Sequence, residues 1–362
     1  MYKKSVLIVL CILIISCFIS INYKCYAMEA KSEEIYIVKN EAGSVLFERN
    51  EVALGDVYIS KDFLKYEVVS VNHENKTGVA KFIEQVKKPS VRTYYGPNRI
   101  NNQTKKIGLY LTHNDESYIT GDGVDSVYGV GGIHDIAKKI KSELTKYNID
   151  VYLDETLHIP HDTSAYSRSK STASSLLKNY ELDAIFDIHR DGASRKSYVQ
   201  NVNGVDKCMV RMVVGLGNGN NEINEEFATY IMSVANEMYP WLIKDIYFGK
   251  GHYNQNLYGK SILFEMGSHL VEKDLVMKSV APLCDVINTA LFETTVNNES
   301  GELTINGAEN SNETLITNVE ELNTKDGDGK VIQAVLIILG IVALIVGAYS
   351  INYYIDSKTY EK

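Results

Sequence analysis

Three short runs in this chain each end a strand-like stretch on a residue able to bind a metal or move a proton. They are IGLYLTHNDES with His113 and Glu116, LDAIFDIHRDG with His189, Arg190 and Asp191, and KSILFEMGS with Glu265. Each opens on apolar, partly alternating residues of the kind that form a strand. In open α/β sheets ligands bind outside the carboxyl ends of the strands, so three such ends on one edge would assemble a site. Catalytic Zn2+ takes three protein ligands from His and Asp/Glu and keeps a fourth position for water. The ion lowers that water's pKa to about 7, and a nearby carboxylate takes its proton. On this reading His113, Glu116 and His189 are the candidate metal ligands and Glu265 is the general base. A buried Glu265 without a metal would need a basic partner or a raised pKa. His134, at a helix start, competes with Glu116 for the second ligand position. His158, His161 and His252 fall in loops, and His161-Asp162 could be a carboxylate–histidine pair that orients a ligand. Arg190 either pairs with Asp187 or Asp191 or stabilises the oxyanion of a tetrahedral intermediate. His269 either contacts substrate or caps the next helix.

Strand-like and helix-like stretches alternate over residues 105–296, which predicts an α/β fold, a mixed or parallel sheet flanked by helices. Strands are expected near residues 106–111, 150–153, 183–188, 209–214 and 261–264, and helices near 132–147, 172–179, 224–239 and 274–292. Ile133, Ile136, Ala137, Ile140 and Leu144 recur at helical spacing, so that helix should pack one face on the sheet. Residues 28–87 read as a small β-rich unit with nothing chemical in it, its strands EIYIVKN, SVLFERN, DVYIS and KYEVVSVNH divided by Gly, Asn and Asp. Residues 88–104, with two Pro and several Asn, read as a linker.

The formal net charge of −9 offers no general attraction to nucleic acid, which sets that partner aside. Residues 1–27 read as a signal peptide or N-terminal anchor: Lys3 and Lys4 precede the apolar run Ser5–Ile21, and Cys25-Tyr26-Ala27 is a weak cleavage site. Residues 297–330 hold eight acidic residues, two lysines and no aromatic, the composition of a disordered tether. Val331–Tyr349 has Gln333 as its sole strongly polar side chain and would span about 28 Å as a helix, enough to cross a bilayer. A short tail, 350–362, follows. Export from the N-terminus would place the head on the extracytoplasmic side of a single- or double-pass membrane protein. Cys208 and Cys284, the two cysteines beyond the leader, allow one bridge or two buried thiols.

With these motifs assembled, residues 107–292 resemble the stage II sporulation protein P family. The resemblance is carried by THNDESY (112–118), HDTSAYSRSKST (161–172), DIHRD (187–191), VVGLGN (213–218) and YNQNLYGKSILFEMGS (253–268), in that order. It implies a peptidoglycan hydrolase distantly related to zinc-dependent N-acetylmuramoyl-L-alanine amidases, with amidase and endopeptidase activity on septal wall during engulfment. It also implies a partner, the lytic transglycosylase stage II sporulation protein D. His113 and His189 match zinc-ligand positions, Glu116 matches a position of the motif, and Glu265 matches the catalytic glutamate. Asn254, Asn256 and His269 are the candidate substrate contacts. The chain departs from the family in adding a C-terminal span, and in having His269-Leu270 where an Asn-Thr pair is usual. Two rival readings stand beside the amidase: a wall-binding scaffold that recruits a lytic enzyme without cutting, and a zinc peptidase acting on cross-links alone.

Overall fold

The computed structural model describes residues 35–90 and 104–293. The leader, most of the linker, the acidic tether, the 331–349 span and the tail lie outside the described residues.

Five strands come first: β1 (Tyr36–Asn40), β2 (Val45–Arg49), β3 (Val57–Ser60), β4 (Leu64–Asn72) and β5 (Thr77–Gln85). Then follow β6 (Lys105–Tyr110), α1 (Ile133–Thr145), β7 (Ile149–Leu153), α2 (Ala165–Asn179) and β8 (Ala184–Asp191). A hairpin of β9 (Val199–Val202) and β10 (Val205–Cys208) leads to β11 (Val210–Gly215), α3 (Asn221–Met238), β12 (Ile243–Gly249), β13 (Ser261–Ser268) and α4 (Lys273–Asn288). All strands but the hairpin join one eleven-stranded sheet in the order β2-β1-β5-β4-β3-β12-β11-β13-β8-β6-β7. The expected mixed α/β sheet with flanking helices is therefore present.

Within that sheet β13, β8, β6 and β7 run parallel as neighbours, so their carboxyl ends share one edge. Period-two alternation then decides what each face carries. On β8 and β13, Phe186, Ile188, Ile262, Phe264 and Met266 enter the main hydrophobic core with side chains of α1, α3 and α4. Phe186 and Phe264 meet edge to face, 5.0 Å apart, and burying each contributes about 1.5–3 kcal/mol. The intervening positions, Asp187, His189, Asp191 and Glu265, leave by the other face. Helix α2 packs on that side through Ala173 and Leu176 against Tyr110 and Ile185. Strand β2 also reaches it, where Phe47 stacks on Tyr58 and meets Tyr247 edge-on at 5.5 Å. Both faces of β8 and β13 are thereby covered, and all sixteen of their residues are buried.

Three features go beyond the sequence expectation. The strands of the small β-rich unit also join the main sheet: β3 pairs antiparallel with β12 through Asp245↔Ser60 to Phe248↔Val57. Strand β12 itself was not anticipated, because Lys244-Asp245 interrupts its apolar run. The Asp245 carboxylate is held there by Arg211, its register partner on β11, which donates two hydrogen bonds to it. Strand β5 was also missed, since TGVAKFIEQ keeps no clean alternation and leaves Phe82 and Ile83 half-exposed.

Among the described residues one helical stretch, Lys273–Phe292, is long and apolar enough to cross a membrane. Its Val276, Val280, Leu283, Val286 and Ile287 are buried in the core, so it is a core helix of the sheet. Cys208 and Cys284 are both buried free thiols.

Candidate active site

Strand geometry brings the three sequence motifs together. Glu265 and His189 are Cα partners across β13 and β8, and His113 lies in the turn that follows β6, on the far side of β8. The imidazoles of His113 and His189 lie 5.1 Å apart, nearly perpendicular. Glu116 joins them from the same turn, its Oε1 3.5 Å from His189 Nδ1 while its Oε2 accepts the Arg190 backbone N–H at 3.0 Å. A glycine fixes that turn: Gly131 presses on the carbonyls of Asp115 and Glu116 and donates its N–H to Asn114 O at 2.7 Å. A Cβ at Gly131 would collide with both carbonyls, so any substitution must move the turn that carries His113 and Glu116.

The partners of each imidazole determine its charge. His189 Nε2 stands 3.0 Å from Asp187 Oδ1 without hydrogen-bond geometry. The Asp187 carboxylate is itself held by the Thr112 N–H at 2.9 Å and the Thr112 hydroxyl at 2.6 Å. Burial alone would lower the His189 pKa. The charges of Asp187 and Glu116 outweigh it and hold that pKa well above the ordinary histidine value. For Glu116 burial pushes the other way, and His189 wins, drawing the carboxyl down to about 2. His113 differs: burial brings it down to about 4, so it is neutral, and its Nδ1 is buried without a hydrogen-bond partner. His161 stacks flat on His113 at 3.9 Å, and its own Nδ1 is 2.9 Å from Asp115 Oδ1. The pair suggested by His161-Asp162 is thus corrected. Asp115 holds His161, and Asp162 bonds Arg168, because the start of α2 turns Asp162 toward its own helix.

Glu265 is buried, its Oε2 without a partner and its Oε1 3.5 Å from Arg49 Nη2. Burial raises its pKa to about 8, the Asp191 charge adds to the rise, and Arg49 and His189 oppose it. Asp191 is anchored by Tyr198 Oη at 2.7 Å and Arg211 Nη1 at 2.6 Å. One extra residue in β13, between Glu265 and Ser268, restores pairing with β8 beyond the site. Gly267 supplies the left-handed conformation there, with φ at +72°.

Whether these groups fit a metal can be judged from their chemistry. Two imidazoles and one carboxylate form a donor set suited to Zn2+. The His113 nitrogen lacks any other partner, and Asp187 and Glu116 together demand a positive charge at His189, as a proton or as a cation. Among the described residues no three such side chains are drawn in to coordination distance, so the fit lies in donor chemistry and convergence.

The remaining candidates separate. Nδ1 of His134 pairs with Glu155 at 2.9 Å, whereas Glu116 is the carboxylate that meets His189. His158 is a structural residue, bonded to Leu111 O at 2.7 Å and Thr172 Oγ1 at 2.8 Å. Nη2 of Arg190 donates to Asp125 O at 3.0 Å, which ties down the loop after Glu116. Asn254 and Asn256 line a cavity beside the site, together with His252, and Asn254 donates to Ser169 Oγ at 2.9 Å. His269 is buried and its main chain joins Asp191 O to the Ile119 N–H. The sequence reading missed Arg49, which comes from the strand region taken to hold nothing chemical. No local pattern marks it, since its partner Glu265 lies more than two hundred residues away and only sheet closure reveals the contact.

The family model of stage II sporulation protein P (SpoIIP) matches residues 28–288. The chain belongs to that family. It is 25% identical over 237 residues to stage II sporulation protein P of Bacillus subtilis (strain 168), a match covering 57% of this chain and 56% of that protein. The chain thus spans little more than half the length of that relative. Among solved structures, the catalytic domain of CwlV, an N-acetylmuramoyl-L-alanine amidase from Bacillus (Paenibacillus) polymyxa var. colistinus, is 13% identical with a TM-score of 0.34. That match covers 51% of this chain and 95% of CwlV. The CwlD amidase from Clostridioides difficile, solved with the GerS lipoprotein, is 14% identical with a TM-score of 0.37, at the same coverage.

Proposed function

We propose that this protein is a membrane-tethered, zinc-dependent peptidoglycan hydrolase acting in sporulation, cutting the amide between the muramic acid lactyl group and L-alanine. The observation that carries the reading is Glu265: a buried carboxyl with one unpartnered oxygen, paired in register with His189 and raised to about 8. His113, Glu116 and His189 are the groups that would hold the metal. When bound there, the ion supplies Lewis acidity to the scissile carbonyl and the attacking water. Glu265 takes the proton of that water on its carboxylate and returns it to the leaving amine nitrogen. An acidity near neutral suits both transfers. Asp187 supplies a negative charge 3.0 Å from the His189 ring, and the Asp115-bonded His161 stacks on the His113 ring and packs it in place. Arg190 ties down the loop after Glu116 through its bond to Asp125 O. Membership of the sporulation family supports septal wall as the substrate and stage II sporulation protein D as the partner. The apolar 331–349 sequence supports anchoring, and the N-terminal export signal supports a head outside the cell.

Incubation of the full-length chain with purified cell wall, followed by mass analysis of the soluble fragments, tests this reading. Free lactyl groups and free L-alanine amino termini are expected. Cross-link cleavage alone would reassign the enzyme as an endopeptidase. Binding without any release would reassign it as a wall-binding scaffold.

A further inference from the structure

The reaction described above leaves one cation next to Glu265 without a task. Arg49, at the end of β2, reaches over the sheet to the catalytic glutamate, and its side chain is 14% exposed. Its guanidinium stacks 4.5 Å above the Tyr247 ring, and Nη2 stands 3.5 Å from Glu265 Oε1. Nη1 is buried and has no hydrogen-bond partner. A guanidinium carries five donors in a planar fork and accepts nothing, so a buried unpaired nitrogen calls for a carboxylate or carbonyl.

A cavity adjoins the exposed part of this side chain. It has a volume of about 650 Å³ and is lined by Arg49, Tyr166, Tyr247, Lys250, Tyr253 and Asn254 among others. Two of its lining residues touch the site: Tyr166 is 5.3 Å from the His113 ring, and Arg49 is 3.5 Å from Glu265, so the cavity lies beside the proposed reacting centre. Lys170 and Lys250 add charge at its rim, against the carboxylates of Glu51 and Asp56. The Asp56 carboxylate is already engaged by the Tyr247 hydroxyl and by the Ala53 N–H at 2.6 Å. A protein with net charge −9 thus sets three cations against two carboxylates in the cavity beside Glu265.

We propose that this chamber is a carboxylate-binding subsite, in which Arg49 grips an acidic group of the stem peptide adjoining the bond to be cut. The inference rests on the hydrolase reading for the identity of the ligand, and it makes the N-terminal strands part of substrate recognition. A planar carboxylate meets the guanidinium fork in a bidentate pair, and the lysines draw the acidic peptide in from the rim.

The test is binding of L-alanyl-D-glutamate, as the free acid and as its diamide, to the full-length protein in detergent, followed by calorimetry. Neither compound contains the muramoyl amide, so binding is measured independently of turnover. The wild type should bind the free acid about 10- to 100-fold more tightly than the diamide, the worth of a charge-assisted contact. Arg49→Met should bring the two affinities together while leaving that of the diamide unchanged, and Arg49→Lys should retain part of the preference. Equal affinities in the wild type, no measurable binding of the free acid, or an undiminished preference in Arg49→Met overturns the proposal. Should Arg49→Met fail to fold, Arg49→Lys decides, and a ratio equal to that of the wild type counts against it. Discrimination without release of wall fragments would sink the hydrolase reading and leave the subsite standing; release without discrimination would do the reverse.

Discussion

Replacing Lys244 should stabilise this protein, and the gain should disappear as the pH rises. Lys244 sits on β12 with a side chain 9% exposed, its Nζ 3.5 Å from Asp245 Oδ2 and 4.3 Å from the Tyr198 ring. Arg211 already claims both neighbouring carboxylates, Asp245 and Asp191, so Lys244 is a second cation where one suffices. Burial, reinforced by the Arg211 charge, brings its pKa from 10.5 to about 8. A lysine whose folded pKa is depressed costs stability wherever both states would otherwise be protonated. That cost is full below pH 8 and fades between pH 8 and 10.5. At about 1.4 kcal/mol per pH unit the shift corresponds to roughly 3 kcal/mol, less about 1 kcal/mol for the cation–π contact that Lys244→Met also loses. Urea denaturation of wild type and Lys244→Met at pH 7 and pH 10 measures this directly. Met should raise stability by about 1–3 kcal/mol at pH 7, and the difference should shrink by pH 10. A difference independent of pH, or a variant less stable at pH 7, would refute the reasoning.

Arg211→Ala should act in the opposite sense, because it removes the guanidinium that bonds both Asp191 and Asp245 and leaves these buried carboxylates with the weaker contacts of Lys244 and Tyr198. A loss of about 3–5 kcal/mol is expected in the same denaturation assay, and a loss below 1 kcal/mol would contradict it. Asp187→Asn retains the shape of the group but removes the charge beside His189. Wall hydrolysis should fall about 10- to 100-fold with little change in melting temperature, and unchanged turnover would remove Asp187 from the site. Cys208 and Cys284 should react with a thiol reagent after denaturation and resist it in the native protein. A bridged pair, unreactive even when denatured without reductant, would contradict the structure.

The parts of the site legible in the sequence are those set by strand alternation. His113, His189 and Glu265 each follow an apolar run whose partner strands are parallel neighbours, so reading strand ends was enough to bring them together. The helices were legible for the same kind of reason: Ile133, Ile136, Ala137, Ile140 and Leu144 are all buried on one face of α1. Other parts depend on long-range pairing, and local pattern does not contain them. β12 is hidden by the charges of Lys244 and Asp245, and the carboxylate makes sense only once Arg211 is placed opposite it. Arg49 reads as an ordinary strand-end residue until β3 joins the N-terminal strands to β12 and brings β2 over the site. The partner of His161 could not be read from its neighbour, because a carboxylate forty-six residues earlier in the chain lies closer than Asp162 can turn.

Zinc stoichiometry, measured by equilibrium dialysis and elemental analysis on the wild type, His189→Ala and Glu265→Gln, tests the proposed centre most directly. About one zinc per chain is expected in the wild type and in Glu265→Gln, and far less in His189→Ala, with wall hydrolysis abolished in both variants. Full zinc in His189→Ala, no zinc in the wild type, or undiminished hydrolysis by Glu265→Gln would contradict a metal held at His113, Glu116 and His189 beside a catalytic glutamate.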